Sequence, residues 1–284
     1  APVATGQFSA VYSARHKTDG HLYAVKVQAS SAPGDRQAPR REVFALASVA
    51  TAGAACPNLV RYFSSWQEED RMHIQIELCE STLRSSMKRQ LSERPHDPRF
   101  GDDELVGVFR QVANGLATLH RLGFAHLDVK PDNILLGRDG CFKLGDLGLA
   151  TLTSDERCGP VPEGDCRYLA RELLQGTFDD LTKADVFSLG VVCYELGTNP
   201  KELPQNGDEW QALRDGSIDA PSVPHLSSDV LRLVRAMVNG LPSERPGCAE
   251  LADYGRAPPA SELEALRREL REAMEAAARG RELA

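Results

Sequence analysis

His126-Leu127-Asp128-Val129-Lys130-Pro131-Asp132-Asn133, followed shortly by Gly145-Asp146-Leu147-Gly148, is the stretch on which the reading of this chain turns. Phosphoryl transfer needs an acceptor for a hydroxyl proton, oxygen ligands for Mg²⁺ and positive charge near the phosphates, and these two segments supply most of that set. Asp128 is placed to accept and orient the hydroxyl, and Lys130, two residues on, to stabilise charge on the transferring group. Asn133 and Asp146 are the candidate ligands for the metal ions that bridge the phosphates.

Upstream, Tyr23-Ala24-Val25-Lys26 reads as a strand whose lysine would contact the α- and β-phosphates of ATP, and Glu42 would pair with Lys26 and hold it extended. Read alone, these two residues are unrelated surface charges; beside the other motifs, in the right order, they form one set. A phosphate-covering loop is the weak member. Ala4-Thr5-Gly6-Gln7-Phe8-Ser9-Ala10-Val11 keeps one glycine, Gly6, where three are usual. Ala and Ser are small enough for backbone to approach phosphate but do not take positive φ as cheaply as Gly, so a working but stiffer loop is expected.

Around these motifs the pattern changes character once. Phe8 to Val27 alternates and is rich in Val, Tyr and Phe, with a turn at Thr18-Asp19-Gly20, which predicts a hairpin. Pro39 opens a helix carrying Glu42, Leu46 and Ala50, and Gly53 closes it. Two further strands are expected at Leu59 to Gln67 and at Met72 to Leu78. After Cys79 the chain becomes helical. Asp102 is the expected N-cap of a long helix with Leu105, Phe109, Val112, Leu116 and Leu119 on one face. Asp185 to Leu196, apolar nearly all round, predicts a helix buried in the middle of a lobe. Beyond Pro258 and Pro259, Leu263, Leu266, Leu270 and Met274 make an apolar stripe among Glu and Arg, the mark of a surface helix.

The fold class is therefore α+β and bilobal: a β-rich N-terminal lobe with one main helix at 1–79, its first strand truncated, a mostly helical C-terminal lobe at 80–255, and a helical tail at 256–284. A cleft between such lobes is where a ligand is expected.

Composition narrows the class without choosing a function. The 284 residues are 42% hydrophobic and 26% charged, the balance of an ordinary globular protein, and no apolar run approaches a membrane span. A net charge of −8 argues against non-specific nucleic-acid binding. Seven cysteines, odd in number, scattered and without a Cys-x-x-Cys pair, suit a reducing compartment and make a zinc site a poor fit. The chain lacks a secretory signal and does not begin with Met, as expected of a domain from a longer protein.

The motif set, running from Gly6 to Arg245, identifies the chain as resembling the protein kinases. Alignment to those motifs places Val11, Ala24 and Leu135 around an adenine, Ile76 at the back of its pocket, and the backbone of Glu77 to Cys79 on the purine edge. Glu163-Gly164-Asp165-Cys166-Arg167-Tyr168-Leu169-Ala170, Lys183-Ala184-Asp185-Val186-Phe187-Ser188 and Leu203-Pro204-Gln205-Asn206-Gly207-Asp208-Glu209-Trp210 resemble the Wee/Myt group, and so does Leu147 where most kinases carry Phe. The resemblance, closest to the Wee-type form, implies an enzyme using ATP and Mg²⁺ to phosphorylate a tyrosine, or also a threonine, in the glycine-rich loop of a cyclin-dependent kinase bound to its cyclin, blocking mitotic entry. It further implies a monomer that binds no nucleic acid, has no membrane contact from this segment, and is nuclear, or else cytoplasmic or attached to internal membranes through a part absent here.

The same resemblance carries structural expectations. Leu127 stands where many kinases have the Arg that grips a phosphorylated activation loop, which implies activity independent of phosphorylation at Thr151, Thr153 or Ser154. Asp165 replaces a Thr that braces the catalytic lysine, and an ion pair with Lys130 is expected. Arg171 replaces a Pro, Glu172 should pair with Arg245, and Asp185 should accept hydrogen bonds from the catalytic-loop backbone. Two other readings stand beside this one. Arg61-Tyr62-Phe63-Ser64-Ser65-Trp66, Cys79-Glu80-Ser81-Thr82-Leu83 and the Asp128-x-Lys130 spacing resemble serine/threonine kinases of translation initiation factors; the incomplete glycine loop would suit a pseudokinase scaffold.

Overall fold

A computed structural model describes residues 2–6, 9–29, 38–53, 56–94, 96, 99–154, 164–177, 179–198, 203–218 and 226–256. The chain divides into a unit spanning Ala1–Ala252 and a second spanning Asp253–Ala284, of which only the first four residues are described. The helix expected beyond Pro259 lies outside the described residues, as do Gln7 and Phe8 of the glycine loop and Glu163.

The N-terminal part is a five-stranded antiparallel sheet of order β1-β2-β3-β5-β4, built from β1 (Pro2–Thr5), β2 (Ser9–Arg15), β3 (Leu22–Ala29), β4 (Tyr62–Glu68) and β5 (Arg71–Glu77). The β2–β3 hairpin turns where expected, with Gly20 at φ 72° and its N–H donating to His16 O at 3.0 Å. Strand β4 starts three residues later than its apolar pattern suggests. Leu59 bridges Leu144 and Val60 N–H donates to Leu144 O at 3.0 Å, so these apolar residues join the lower lobe instead of the sheet. One helix, α1 (Ala38–Thr51), packs against the turn at Leu147–Leu149.

Next come β6 (Ser81–Thr82) and α2 (Leu83–Glu93), capped by Thr82, whose hydroxyl accepts from Ser85 N–H. Then α3 (Asp102–Arg121) buries Leu105, Phe109, Val112, Leu116 and Leu119 completely, the five residues its periodicity marks. Its N-cap is Gly101, not Asp102. Glu104 accepts from Gly101 N–H at 3.0 Å, while the Asp102 carboxylate accepts from Ser227 N–H at 3.2 Å. The short strands β7 (Phe124–Ala125), β8 (Ile134–Leu136), β9 (Phe142–Leu144) and β10 (Thr151–Leu152) frame the two motif loops, β6-β8-β9 forming one sheet and β10-β7 another.

Helices α4 (Arg171–Gln175), α5 (Leu181–Gly197), α6 (Asp208–Arg214), α7 (Ser228–Met237) and α8 (Cys248–Asp253) complete the described chain. Helix α5 is buried on nearly every side, as a sequence apolar nearly all round requires. The fold is bilobal α+β: a β-rich N-terminal lobe with one main helix above a mostly helical lobe.

Candidate active site

Strand register alone gathers the upper wall. Side chains two apart on a strand share a face, and so do residues directly opposite each other. Ala24, Lys26 and Gln28 therefore share a face with Val11 (opposite Lys26), Ile74 (opposite Lys26) and Ile76 (opposite Ala24). Ala24 and Ile74 are buried and Lys26 is 8% exposed, so an ammonium sits in an apolar surface. Its charge is met by Glu42 of α1, at 2.8 and 3.0 Å to the two carboxylate oxygens, and by Asp146 Oδ1 at 2.7 Å. Burial opposes the Lys26 charge, but Glu42 and then Asp146 more than offset it and hold Lys26 above the ordinary lysine value. Gln28, which pattern reading passed over, donates to Glu42 Oε2 at 3.0 Å and fixes the carboxylate from the other side. Its place two residues beyond Lys26 was the available signal.

The lower wall is organised by Asp185 on α5. Its carboxylate accepts from His126 N–H at 2.8 Å and Leu127 N–H at 2.7 Å, the backbone contacts expected of it, and a third contact reaches His120 Nε2 at 2.8 Å. These bonds hold Leu127 at φ 63°, a left-handed conformation costing about 1–3 kcal/mol for a residue with a side chain. The backbone N–H of Asp128 donates to His126 Nδ1 at 3.2 Å, so Nε2 carries the proton and donates to Gly145 O at 3.0 Å. One buried imidazole thus ties the Asp128 loop to the Asp146 loop.

At the centre, Lys130 Nζ lies 2.7 Å from Asp128 Oδ2, and the Asn133 amide nitrogen donates to Asp128 O at 2.9 Å and to Oδ2 at 2.8 Å. With its nitrogen so engaged, Asn133 has its amide oxygen left for a cation. Asp146 is also left-handed, at φ 57°, and its bonds from Lys26 and from Gly148 N–H (3.3 Å) both fall on Oδ1. Burial pushes this carboxyl up, but the charge and hydrogen bond of Lys26 outweigh that and leave it below the ordinary carboxylate value. An ionised carboxylate and an amide oxygen, both hard donors and too few for a closed protein cage, fit Mg²⁺ that takes its other ligands from phosphate and water.

The structure thus gathers the six residues into two clusters, Lys26–Glu42–Asp146 and Asp128–Lys130–Asn133, joined through the His126 imidazole and by Gly145 N–H, which donates to Asn133 O at 2.9 Å. Leu135 lies on β8, half-buried. Glu77 N–H donates to Arg61 O at 2.9 Å, while the Cys79 thiol is pushed up to about 12 by burial and by Glu77, so it stays protonated. Gly6 N–H donates to Ser9 O at 2.8 Å.

One expected contact is replaced. Asp165 does not pair with Lys130: it binds Arg167 in a two-pronged pair at 2.9 and 2.5 Å, while Lys130 turns to Asp128. A planar guanidinium two residues away offers two parallel hydrogen bonds, which a single ammonium cannot match. The Glu172–Arg245 pair forms as expected, at 2.5 and 3.0 Å. Sequence reading missed a second anchor. Arg84 donates to Glu195 (2.5 Å), Tyr168 Oη (2.5 Å) and Asp132 (3.2 Å), and Tyr168 Oη donates to Glu195 at 2.7 Å.

The protein kinase domain family matches residues 2–254. Relatives include a Wee1-like protein kinase of Arabidopsis thaliana, 35% identical over 257 residues, covering 89% of this chain and 48% of that protein. A Wee1-like protein kinase of Oryza sativa subsp. japonica is 36% identical over 253 residues, covering 88% and 45%. Wee1-like protein kinase 2 of Mus musculus is 34% identical over 275 residues, covering 88% and 47%. The chain spans about half the length of these curated relatives.

Proposed function

We propose a specific reaction from the premise that the chain belongs to the protein kinase family and is a protein kinase of the Wee family: transfer of the γ-phosphoryl group of ATP to a tyrosine in the glycine-rich loop of a cyclin-bound cyclin-dependent kinase, restraining mitotic entry. The observation that carries it is the pair of clusters, joined through His126, in which Lys26 bridges Glu42 and Asp146 while Lys130 and Asn133 both bind Asp128.

Bound Mg²⁺-ATP supplies the electrophilic phosphoryl group. Lys26, held extended by Glu42, would steady the α- and β-phosphates, and Asn133 and Asp146 would hold the Mg²⁺ that offsets their charge. Val11, Ala24, Ile76 and Leu135 enclose the adenine beneath Gly6, with the carbonyl of Glu77 and the backbone of Cys79 on its polar edge. Asp128 orients the acceptor hydroxyl and takes its proton as the new oxygen–phosphorus bond forms and the bond from the γ-phosphorus to the β-phosphate oxygen breaks, releasing ADP, and Lys130, already at its side, stabilises the negative charge on the transferring group.

Tyrosine is favoured as acceptor because Asp165 is committed to Arg167, which leaves Lys130 without the hydroxyl brace of serine/threonine kinases. The stretch carrying Asp165 is thereby organised by an ion pair instead of a bridge to the catalytic lysine. A nuclear location follows from the same reading. Incubation with labelled ATP and a cyclin-bound cyclin-dependent kinase, then phosphoamino-acid analysis, tests it. Phosphotyrosine in the glycine-rich loop is expected; label on serine or threonine alone sinks the tyrosine assignment and restores the initiation-factor-kinase reading.

A further inference from the structure

Arg214, the last residue of α6, is 1% exposed, yet among the described residues no carboxylate lies within ion-pair distance of it. Burying a guanidinium without a counter-charge is expensive, and an apolar side chain of similar size would serve packing better. Burial pushes Arg214 down to about 10, with neighbouring Arg171 pressing the same way, so it is still charged at neutral pH. Its Nε has no hydrogen-bond partner among the described residues.

What the side chain does hold is backbone. It donates to Cys166 O at 2.5 Å, Arg167 O at 3.3 Å and Trp210 O at 3.1 Å, and its guanidinium stacks 3.5 Å from the Trp210 ring centre. The Trp210 indole N–H donates to the same Cys166 carbonyl at 3.3 Å. Helix α6 also reaches the far end of this segment. Arg171 donates to Asp215 at 2.6 Å and to Gln211 at 3.3 Å. The stretch from Cys166 to Arg171 is therefore gripped at both ends by one short helix and its C-cap residue, Asp215.

That stretch adjoins the base. A Cβ placed on Gly164 would lie 2.8 Å from Leu127 O and 3.3 Å from Asp128 Oδ1, so the segment enters its path in contact with the catalytic loop. Asp165 then binds Arg167, the residue whose carbonyl Arg214 holds. Displacing Cys166 and Arg167 shifts the backbone that runs beside Asp128, the residue that orients the acceptor hydroxyl, while Lys26, Glu42 and Asp146 make none of these contacts.

We propose that Arg214, together with Trp210, is a positioning residue for the protein acceptor: it sets the path of Cys166–Arg167 against Asp128 and takes no part in nucleotide binding. This rests on the kinase reading above and is independent of which protein is the acceptor. The test compares Arg214→Met, Arg214→Lys and Trp210→Phe with the unaltered chain on a cyclin-bound cyclin-dependent kinase and on a Glu-Tyr copolymer. Steady-state constants for acceptor and ATP are read, together with ATP hydrolysis in the absence of acceptor and amide exchange over 165–170.

Arg214→Met should lower kcat/KM for the acceptor by about tenfold or more, since misplacement on the ångström scale can cost about a hundredfold. KM for ATP and acceptor-free hydrolysis should stay within about twofold, the behaviour of an interaction that does not touch nucleotide. Arg214→Lys keeps charge but lacks the planar fork and should recover only part of the loss. Trp210→Phe keeps the stack and should show a smaller defect with faster amide exchange at Cys166 and Arg167. A parallel fall in acceptor-free hydrolysis, unchanged acceptor kinetics, or loss of folding in both Arg214 variants overturns the proposal. If the unaltered chain labels the copolymer but not the cyclin-dependent kinase, the proposed target fails while the copolymer ratios still decide the role of Arg214.

Discussion

Glu172→Ala isolates the ion pair that anchors the start of α4 to Arg245. Arg245 has a side chain with no exposed surface, and Glu172 is 13% exposed on the same measure. Four donor contacts are made by that guanidinium: Nε to Asn239 O at 2.8 Å, one terminal nitrogen to Lys183 O at 2.9 Å, and the two terminal nitrogens to the Glu172 carboxylate at 2.5 and 3.0 Å. Removing the carboxylate strips both charge-assisted bonds and leaves a fully buried cation with two carbonyls and the face of Phe187, at 5.0 Å, but no counter-charge. Breaking a buried pair in this way costs about 3–5 kcal/mol. For a domain of this size each kcal/mol moves Tm by about 2–4 °C, so a fall of about 6–20 °C is expected. Thermal and urea unfolding read it directly. The double variant Glu172→Leu, Arg245→Met, in which neither charge remains, should recover most of the loss, since an apolar pair of similar volume is close to neutral. A loss below about 1 kcal/mol, the value of an exposed pair, would refute the reasoning.

Other expectations follow from single features of the structure. Leu127 is buried and presents no cation to an incoming phosphate, so phosphatase treatment should change activity by no more than about twofold; a large gain on phosphorylation of Thr151, Thr153 or Ser154 contradicts this. Burial pushes the Asp165 carboxyl up, but the hydrogen bonds and charge of Arg167 outweigh it and hold the carboxyl below its ordinary value of 3.8. A depressed folded value stabilises above the unfolded value and is lost as pH falls through the folded one, so the stability gap between the unaltered chain and Asp165→Asn should be constant from about pH 7 to 5 and close below about 4; a gap unchanged at about pH 3 contradicts it. A Cβ at Gly115 would sit 2.6 Å from Asn58 O, a backbone atom with little freedom to retreat, so Gly115→Ala should cost about 1–3 kcal/mol in urea unfolding; a neutral result contradicts the close approach.

The residues that carry chemistry were legible because each role demands one functional group: an ammonium, a proton-accepting carboxylate, oxygen donors. Lys26, Glu42, Asp128, Lys130, Asn133 and Asp146 could therefore be picked out as an ordered set, and the structure gathers them into two clusters, Lys26–Glu42–Asp146 and Asp128–Lys130–Asn133. The five-residue face of α3 was legible for a different reason, its 3.6-residue period. What escaped was set by competition between near-equal local choices. Asp165 had two cations within reach, and the one offering a planar fork won. Helix α3 is capped from Glu104 because the Asp102 carboxylate has a partner 125 positions away. Arg84 and Arg214 were invisible because their partners are backbone carbonyls and distant side chains that no short pattern brings together.

The central claim is that Asp128, flanked by Lys130 and Asn133, takes the acceptor proton at one shared nucleotide site. Single-turnover transfer from γ-labelled ATP, comparing the unaltered chain with Asp128→Asn at matched nucleotide occupancy, measures it most directly. The account predicts a rate lowered by about 10²–10⁴ with ATP affinity preserved, the usual contribution of a positioned base. Equal rates in the two proteins would contradict it.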